Sequence, residues 1–154
     1  MEVILALKST PLFHNVPGEG LKRLSDFIQE KGVEAGELVF REEDFGDEMY
    51  LVRSGQVSIH QDLGEGPALI ETVEPGGYFG EMAIIDDLPR TATATAEVGT
   101  SLLVLHKNDF RTAVQDYPDI AFEIFREFTR RQRRSDRRYR DLLLEARRLG
   151  LETR

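Results

Sequence analysis

Apolar positions change period twice along the chain, and the changes divide it into helix, strands and helix. Val3, Ile4, Leu5, Ala6 and Leu7 open the chain, and Leu21, Leu24, Phe27 and Ile28 then recur at helical spacing, which predicts helix over residues 4–30. Pro11 and the run Pro17, Gly18, Glu19, Gly20 interrupt that segment, so the helix should stop and restart there. From residue 32 to 106 the pattern becomes strand-like, with short strands predicted at 37–40, 49–52, 57–59, 69–73 and 102–105. Gly36, Gly46, Gly55, Gly64, Gly66, Gly76 and Gly77 stand at the joints. Short strands with regular turns predict a sandwich or barrel.

Beyond residue 106 the helical period returns. Asp109 is placed to cap a helix beginning at Phe110, and a longer helix is predicted from residue 118 to about 150. In the longer one Ala121, Phe125, Phe128, Gln132, Ser135, Tyr139, Leu142, Ala146 and Leu149 are spaced alternately by four and three, as in a heptad seam. The seam favours a homodimer interface. Its polar middle, Gln132 and Ser135, leaves open the alternative of one amphipathic helix folded back on the strands.

Composition narrows the class. The 154 residues suit one domain, expected to span residues 1–154. With no cysteine, neither disulfides nor a cysteine-ligated metal site can form, and a reducing compartment suits the chain. No apolar run approaches the roughly 18–20 residues of a membrane-spanning helix, and the N-terminal run lacks the basic start of a signal peptide. A cytoplasmic protein without membrane contact is expected. The net charge of −8 is uneven: residues 1–117 carry 9 Lys+Arg against 21 Asp+Glu, and residues 118–154 carry 11 against 7. Arginines interleaved with acids on a helix read as a solvated face rather than a nucleic-acid stripe.

The informative stretch is residues 77–93, which opens Gly77, Tyr78, Phe79, Gly80, Glu81, Met82, Ala83 and closes Pro89, Arg90, Thr91, Ala92, Thr93. A glycine opening a short helical turn leaves backbone N–H groups aimed at an anion. Glu81 in the same turn suits a separate task, such as accepting hydrogen bonds from a sugar hydroxyl. Arg90, behind a stiffening proline, offers a planar fork for two phosphate oxygens. Together these describe a site for a ribose phosphate. A plain Glu81–Arg90 ion pair tying down the loop is the rival explanation.

Phe79–Ala83 followed by Pro89–Thr93 resembles the phosphate-binding cassette of cyclic-nucleotide-binding domains, of the catabolite-activator and protein-kinase-regulatory-subunit type. The stretches 35–47 and 50–57 resemble that family's first strands, and the likeness runs from about residue 12 to 139. The resemblance implies an α+β, mainly β fold: a double-stranded β-helix, or jelly-roll-like β-roll, over residues 32–107, with N-terminal helices over 1–31 and C-terminal helices over 108–150. It implies that Glu81 accepts the ribose 2′-hydroxyl and Arg90 neutralises the cyclic phosphate. Gly80 and Met82 belong to the same turn, and N–H groups near Ala83 and Thr91 complete the cradle.

Base identity follows less directly. Thr91 resembles members that accept cyclic GMP, although channel-type members with the same residue also take cyclic AMP. Aligning Tyr117, Pro118 and Asp119 with the start of the lid helix in catabolite-activator-like members sets Ser135 and Asp136 near the purine 6-position. Both can accept from an adenine amino group, so cyclic AMP is favoured and cyclic GMP is the alternative.

The expected function is a sensor that signals through its last helix to an unidentified effector protein. Two alternatives stand beside it: the ligand-binding part of a DNA-binding regulator, and a degenerate domain kept as a scaffold. Only residues 149–154 follow the last helix, too few for a DNA-reading helix, so DNA binding is not expected. No enzyme and no cofactor are expected either. His14, His60 and His106 show no metal-ligand spacing, and the acid pairs Asp86–Asp87 and Glu42–Glu43 fall in predicted turns where solvation explains them.

Overall fold

Two segments, Met49 to Val52 and Leu102 to Leu105, are unbroken apolar runs rather than alternating ones, as expected of strands buried on both faces. In a computed structural model, which describes residues 2–150, both segments are strands buried on both faces, where the sequence period reads as strand alternation. Met1 and residues 151–154, the ends of the expected domain, lie outside the described residues.

The order is α1 (Glu2–Lys8), α2 (Gly18–Phe27), β1 (Gln29–Val33), β2 (Leu38–Phe40), β3 (Glu48–Ser54), β4 (Val57–Asp62), β5 (Pro67–Val73) and β6 (Tyr78–Phe79). A 3-10 turn (Glu81–Ile84) follows, then β7 (Thr93–Ala96), β8 (Thr100–His106), α3 (Lys107–Asp116) and α4 (Asp119–Arg148). The strands form two four-stranded antiparallel sheets, ordered β1-β8-β3-β6 and β2-β7-β4-β5. This is the expected β-roll flanked by helices.

Because side chains alternate across a strand, β3 and β8 serve two cores at once. Tyr50, Val52, Leu102 and Val104 point between the sheets, where they meet Val57, Ile59, Val73 and Phe79. Met49, Leu51, Leu103 and Leu105 point outward into a second cluster with Leu7, Phe13, Leu21, Leu24, Phe110 and Ile120 from the helices. The helical layer is thus bolted to the first sheet.

Three boundaries differ from expectation. Residues 29–31 are strand rather than helix: Gln29–Val33 pairs with β8, Gln29 opposite Val104, and the ladder overrides the helical preference of Gln, Glu and Lys. The third helix begins at Lys107 rather than Phe110, so Asp109 sits inside its first turn and His106 precedes it without a side-chain cap. In α4 the inward stripe is Ile120, Ile124 and Glu127, one position before the assigned seam. Of the seam, Phe125, Tyr139, Leu142 and Leu149 are exposed, while Phe128 is half-buried against the helix-side core, so among the described residues the seam touches the rest of the chain only near its start. No helix among the described residues is long and apolar enough to cross a membrane.

Two buried phenols report on the packing. Tyr78 donates to Glu127 Oε1 at 3.3 Å beneath the Arg131 guanidinium, and burial pushes its pKa from 10.0 up to about 12, against the opposing pull of Arg131. Tyr50 donates to Glu48 Oε2 at 2.8 Å, and burial together with that carboxylate raises it further. In both cases the fold holds the proton more tightly than the unfolded chain does. Their stabilising contribution is therefore complete below pH 10 and is lost as pH climbs through the folded values. Urea unfolding should show a midpoint falling between pH 10 and 12, with Tyr78→Phe removing part of the fall. At Gly55 the φ is +94°, and an added Cβ would lie 2.7 Å from Gly99 O and against Thr100 Oγ1. Gly55→Ala should cost about 2–4 kcal/mol in the same assay, from left-handed strain plus loss of the Thr100 bonds to the 55–56 turn.

Candidate functional site

The cassette starts where β6 ends. Gly80 adopts φ +72°, and a Cβ there would come within 2.9 Å of Arg90 Nη1 and 3.2 Å of the Phe40 ring, so the position accepts only hydrogen. The chain then closes a 3-10 turn, with Ala83 N–H donating to Gly80 O at 3.3 Å and Ile85 and Asp86 N–H donating to Met82 O at 3.0 and 2.9 Å. Ala83 and Ile84 are buried and pin the turn, while Met82 is exposed at its lip. The Ala83 amide expected in an anion cradle is therefore engaged in the turn.

Arg90 is held from both ends. Its own N–H donates to Asp44 O at 2.7 Å, and its carbonyl accepts from Glu43 N–H at 2.8 Å. Its guanidinium donates to Gly80 O at 3.1 Å and Glu48 O at 2.8 Å, and it lies 4.1 Å over the Phe40 ring and 5.9 Å from that of Tyr50. The residue is only 7% exposed, its Nε has no partner, and among the described residues no carboxylate forms an ion pair with it. Burial pulls its pKa below the usual value, opposed by Tyr50 and by the more distant charges of Glu48, Asp47 and Glu81. A buried cation with an orphaned donor and no counter-ion is costly. An arriving anion would relieve it.

Glu81 does not pair with Arg90. Its Oε1 accepts from Arg131 Nη1 at 2.8 Å, and Arg131, reaching down from α4, also lies 3.7 Å from Glu71 and 5.0 Å over the Tyr78 ring. The loop-tying pair considered from sequence is thus replaced by a latch between the cassette and the last helix. Sequence reasoning missed Arg131. Its signal was the stripe Ile120, Ile124, Glu127, Arg131, spaced four, three and four, hidden by the neighbouring seam. Glu127, more deeply buried than Arg131, is neutralised by Arg130 through bonds of 2.8 and 2.7 Å.

These groups surround a cavity of about 290 Å³, at the small end of the range for small-molecule sites. Gly80, Glu81, Met82, Ala83, Arg90 and Thr91 line it, as do Phe40, Ile59, Gln61, Ile70, Glu71, Leu88 and Arg131, which the sequence did not single out. Ser135 and Asp136 are not brought into it. Both are exposed on α4, one turn past Arg131, and Asp136 Oδ1 accepts from Gln132 Nε2 at 3.1 Å.

Of the acid pairs, Glu43 and Asp87 are exposed, and three of the four acids also carry hydrogen bonds. Asp87 is bonded by Lys107 Nζ, which also donates to Asp86 O, while Asp86 Oδ1 accepts from Leu88 N–H at 3.1 Å; Glu42 Oε1 accepts from Asp62 N–H at 3.0 Å. His106 meets Asp47 and Glu48, with ligand atoms within 4.8 Å of one another. Its two ring nitrogens face different acids, Nδ1 at 3.9 Å from Asp47 and Nε2 at 3.5 Å from Glu48. That is an imidazole between two carboxylates rather than three ligands converging on one ion.

Chemically, the cavity offers a buried cation on one wall, a carboxylate able to accept from a hydroxyl on another, and apolar side chains between. The model of the family described as cyclic nucleotide-binding domain matches residues 30–117. The chain is 31% identical over 131 residues to the cyclic AMP receptor protein of Thermus thermophilus, covering 84% of this chain and 61% of that protein. It is 33% identical over 105 residues to the cAMP-dependent protein kinase regulatory subunit of Eremothecium gossypii, covering 68% of this chain and 22% of that one. It therefore spans less than two thirds of these relatives. Among solved structures, the N-terminal domain of a transcriptional regulator from Streptomyces coelicolor A3(2) superposes with a TM-score of 0.74 at 31% identity, over 84% of this chain and 94% of that one. A match over more than half the chain, on the residues that build the cavity, means that this chain belongs to the cyclic nucleotide-binding domain family.

Proposed function

We propose that the chain is a cyclic AMP sensor that works without catalysis, and the observation that carries this reading is the buried, counter-ion-free Arg90. A cyclic phosphate at the cavity mouth supplies the missing charge and an acceptor for the orphaned Nε. Glu81 accepts the ribose 2′-hydroxyl, Gly80 lets the backbone approach, and the Met82–Ala83 turn and Thr91 frame the phosphate. The base then lies against Ile59 and Ile70. The printed names of the Thermus and Eremothecium relatives support cyclic AMP over cyclic GMP.

Ser135 and Asp136 reach the purine when α4 moves by about one turn toward the cavity, roughly 5–6 Å along its axis. That motion makes α4 the output of the sensor. Ligand can drive it only through a difference in affinity between the open and covered states. The exposed seam on the same helix is the surface for a second copy, and the effector that reads the helix is a protein, in the cytoplasm. A second reading, the sensing part of a transcription regulator, is favoured by the likeness to the Streptomyces domain, and a gel shift at two salt concentrations separates the two.

Calorimetric titration of nucleotide-free protein should give micromolar or tighter binding of cyclic AMP and weaker binding of cyclic GMP. Arg90→Ala should weaken cyclic AMP at least tenfold, the cost of unpairing a buried charge being about 2–5 kcal/mol. Replacing Ser135 and Asp136 by alanine should narrow the ratio between the two nucleotides. Absence of heat from folded protein would instead support the scaffold reading, and an unchanged Arg90→Ala affinity would remove that residue from the site. Sedimentation should show a dimer that Leu142→Glu dissociates; a monomer with and without nucleotide would retire the seam.

A further inference from the structure

Lys107 stands out among the charges that the nucleotide reading leaves unused. Its side chain is 9% exposed, and among the described residues both acceptors of its Nζ belong to the cassette: Asp86 O at 2.8 Å and the Asp87 carboxylate. Its backbone N–H donates to Asp47 O at 2.7 Å, at the foot of β3. Lys107 is also the first residue of α3, where a cation opposes the helix dipole. Local helix stability therefore does not explain a lysine here. Asp87, for its part, is 91% exposed, so the pair adds little as a surface salt bridge.

What the arrangement does is make a buried charge on one element depend on the position of another. If residues 86–87 leave, Lys107 is stranded without an acceptor unless the first turn of α3 moves with them. Ile84 of the cassette and Phe110 and Ile120 of the helices share one apolar cluster, so the same two bodies are also in contact through packing. Resting on the proposed nucleotide site, we propose that Lys107 is a positioning residue that couples the cassette to α3 and α4. It touches no ligand.

The test has one arm that needs no nucleotide. In the nucleotide-free chain, Lys107→Met should speed hydrogen exchange at Ile85 and Asp86, the amides bonded to Met82 O, together with the first turn of α3. Lys107→Arg should restore protection, and Asp87→Ala, which leaves the Asp86 carbonyl in place, should give a smaller change in a fold no one expects to collapse. Protection at residues 85–86 unchanged in both Lys107→Met and Asp87→Ala overturns the anchor.

The second arm reads coupling. The chain has no cysteine, so Lys22→Cys and Arg133→Cys, both exposed positions, allow spin labels on α2 and α4 without background. Cyclic AMP should change the label distance in the parent; Lys107→Met should reduce that change and weaken cyclic AMP about tenfold, with Lys107→Arg recovering both. A full distance change with parental affinity in Lys107→Met overturns the coupling. A parent that binds no nucleotide refutes the functional reading instead, and leaves the exchange arm to decide the anchor.

Discussion

The two-faced burial of β3 and β8 is the constraint on which everything else rests. A strand with one dry face can shift or fray at modest cost, but Met49, Tyr50, Leu51 and Val52 alternate between two clusters, so displacement of β3 disturbs both. Its first residue, Glu48, supplies the carbonyl that Arg90 Nη2 grips, and its third, Tyr50, supplies a ring near the same guanidinium. The most fixed part of the molecule therefore sets the position of its most exacting charge. A charge held this way has little of its orientation left to lose when a partner arrives.

Against that rigid wall, the other side of the cavity adds polar side-chain ties to the apolar packing of Ile84, Phe110 and Ile120. Arg131 crosses from α4 to Glu81 and Glu71, and Lys107 ties the start of α3 to the end of the cassette. Polar ties of this sort exchange partners readily, whereas packed apolar faces do not. The division of labour is between a wall fixed by packing and a wall held in part by ion pairs.

Much of this could be read in the chain beforehand, and the parts that could not have a common cause. The strand at Leu102–Leu105 depends on local spacing and appears as anticipated, and Gly80, Glu81 and Arg90, close in sequence, line one cavity. The first three residues of β1 read as helix because Gln29, Glu30 and Lys31 have no apolar alternation; their strand state is imposed by pairing with β8, some seventy residues away. β6, with two residues, is too short to carry a period at all. Arg131 and Lys107 were passed over for a different reason: among many arginines and exposed acids, nothing local separates the one that turns inward. Only the fold does that, for Arg131 by setting α4's stripe one residue away from its seam and for Lys107 by seating the start of α3 against residues 86–87.

That stripe also fixes where α4 stops touching the rest of the chain. Beyond Arg131 none of its residues is buried, although the helix runs on to Arg148, a free length of about 26 Å. The helix is thus a lever with its fulcrum at the mouth of the cavity. A tilt of about 10° there would carry the tip through roughly 4 Å. Whatever sits against the far end is displaced further by such a tilt than the side chains at the fulcrum are.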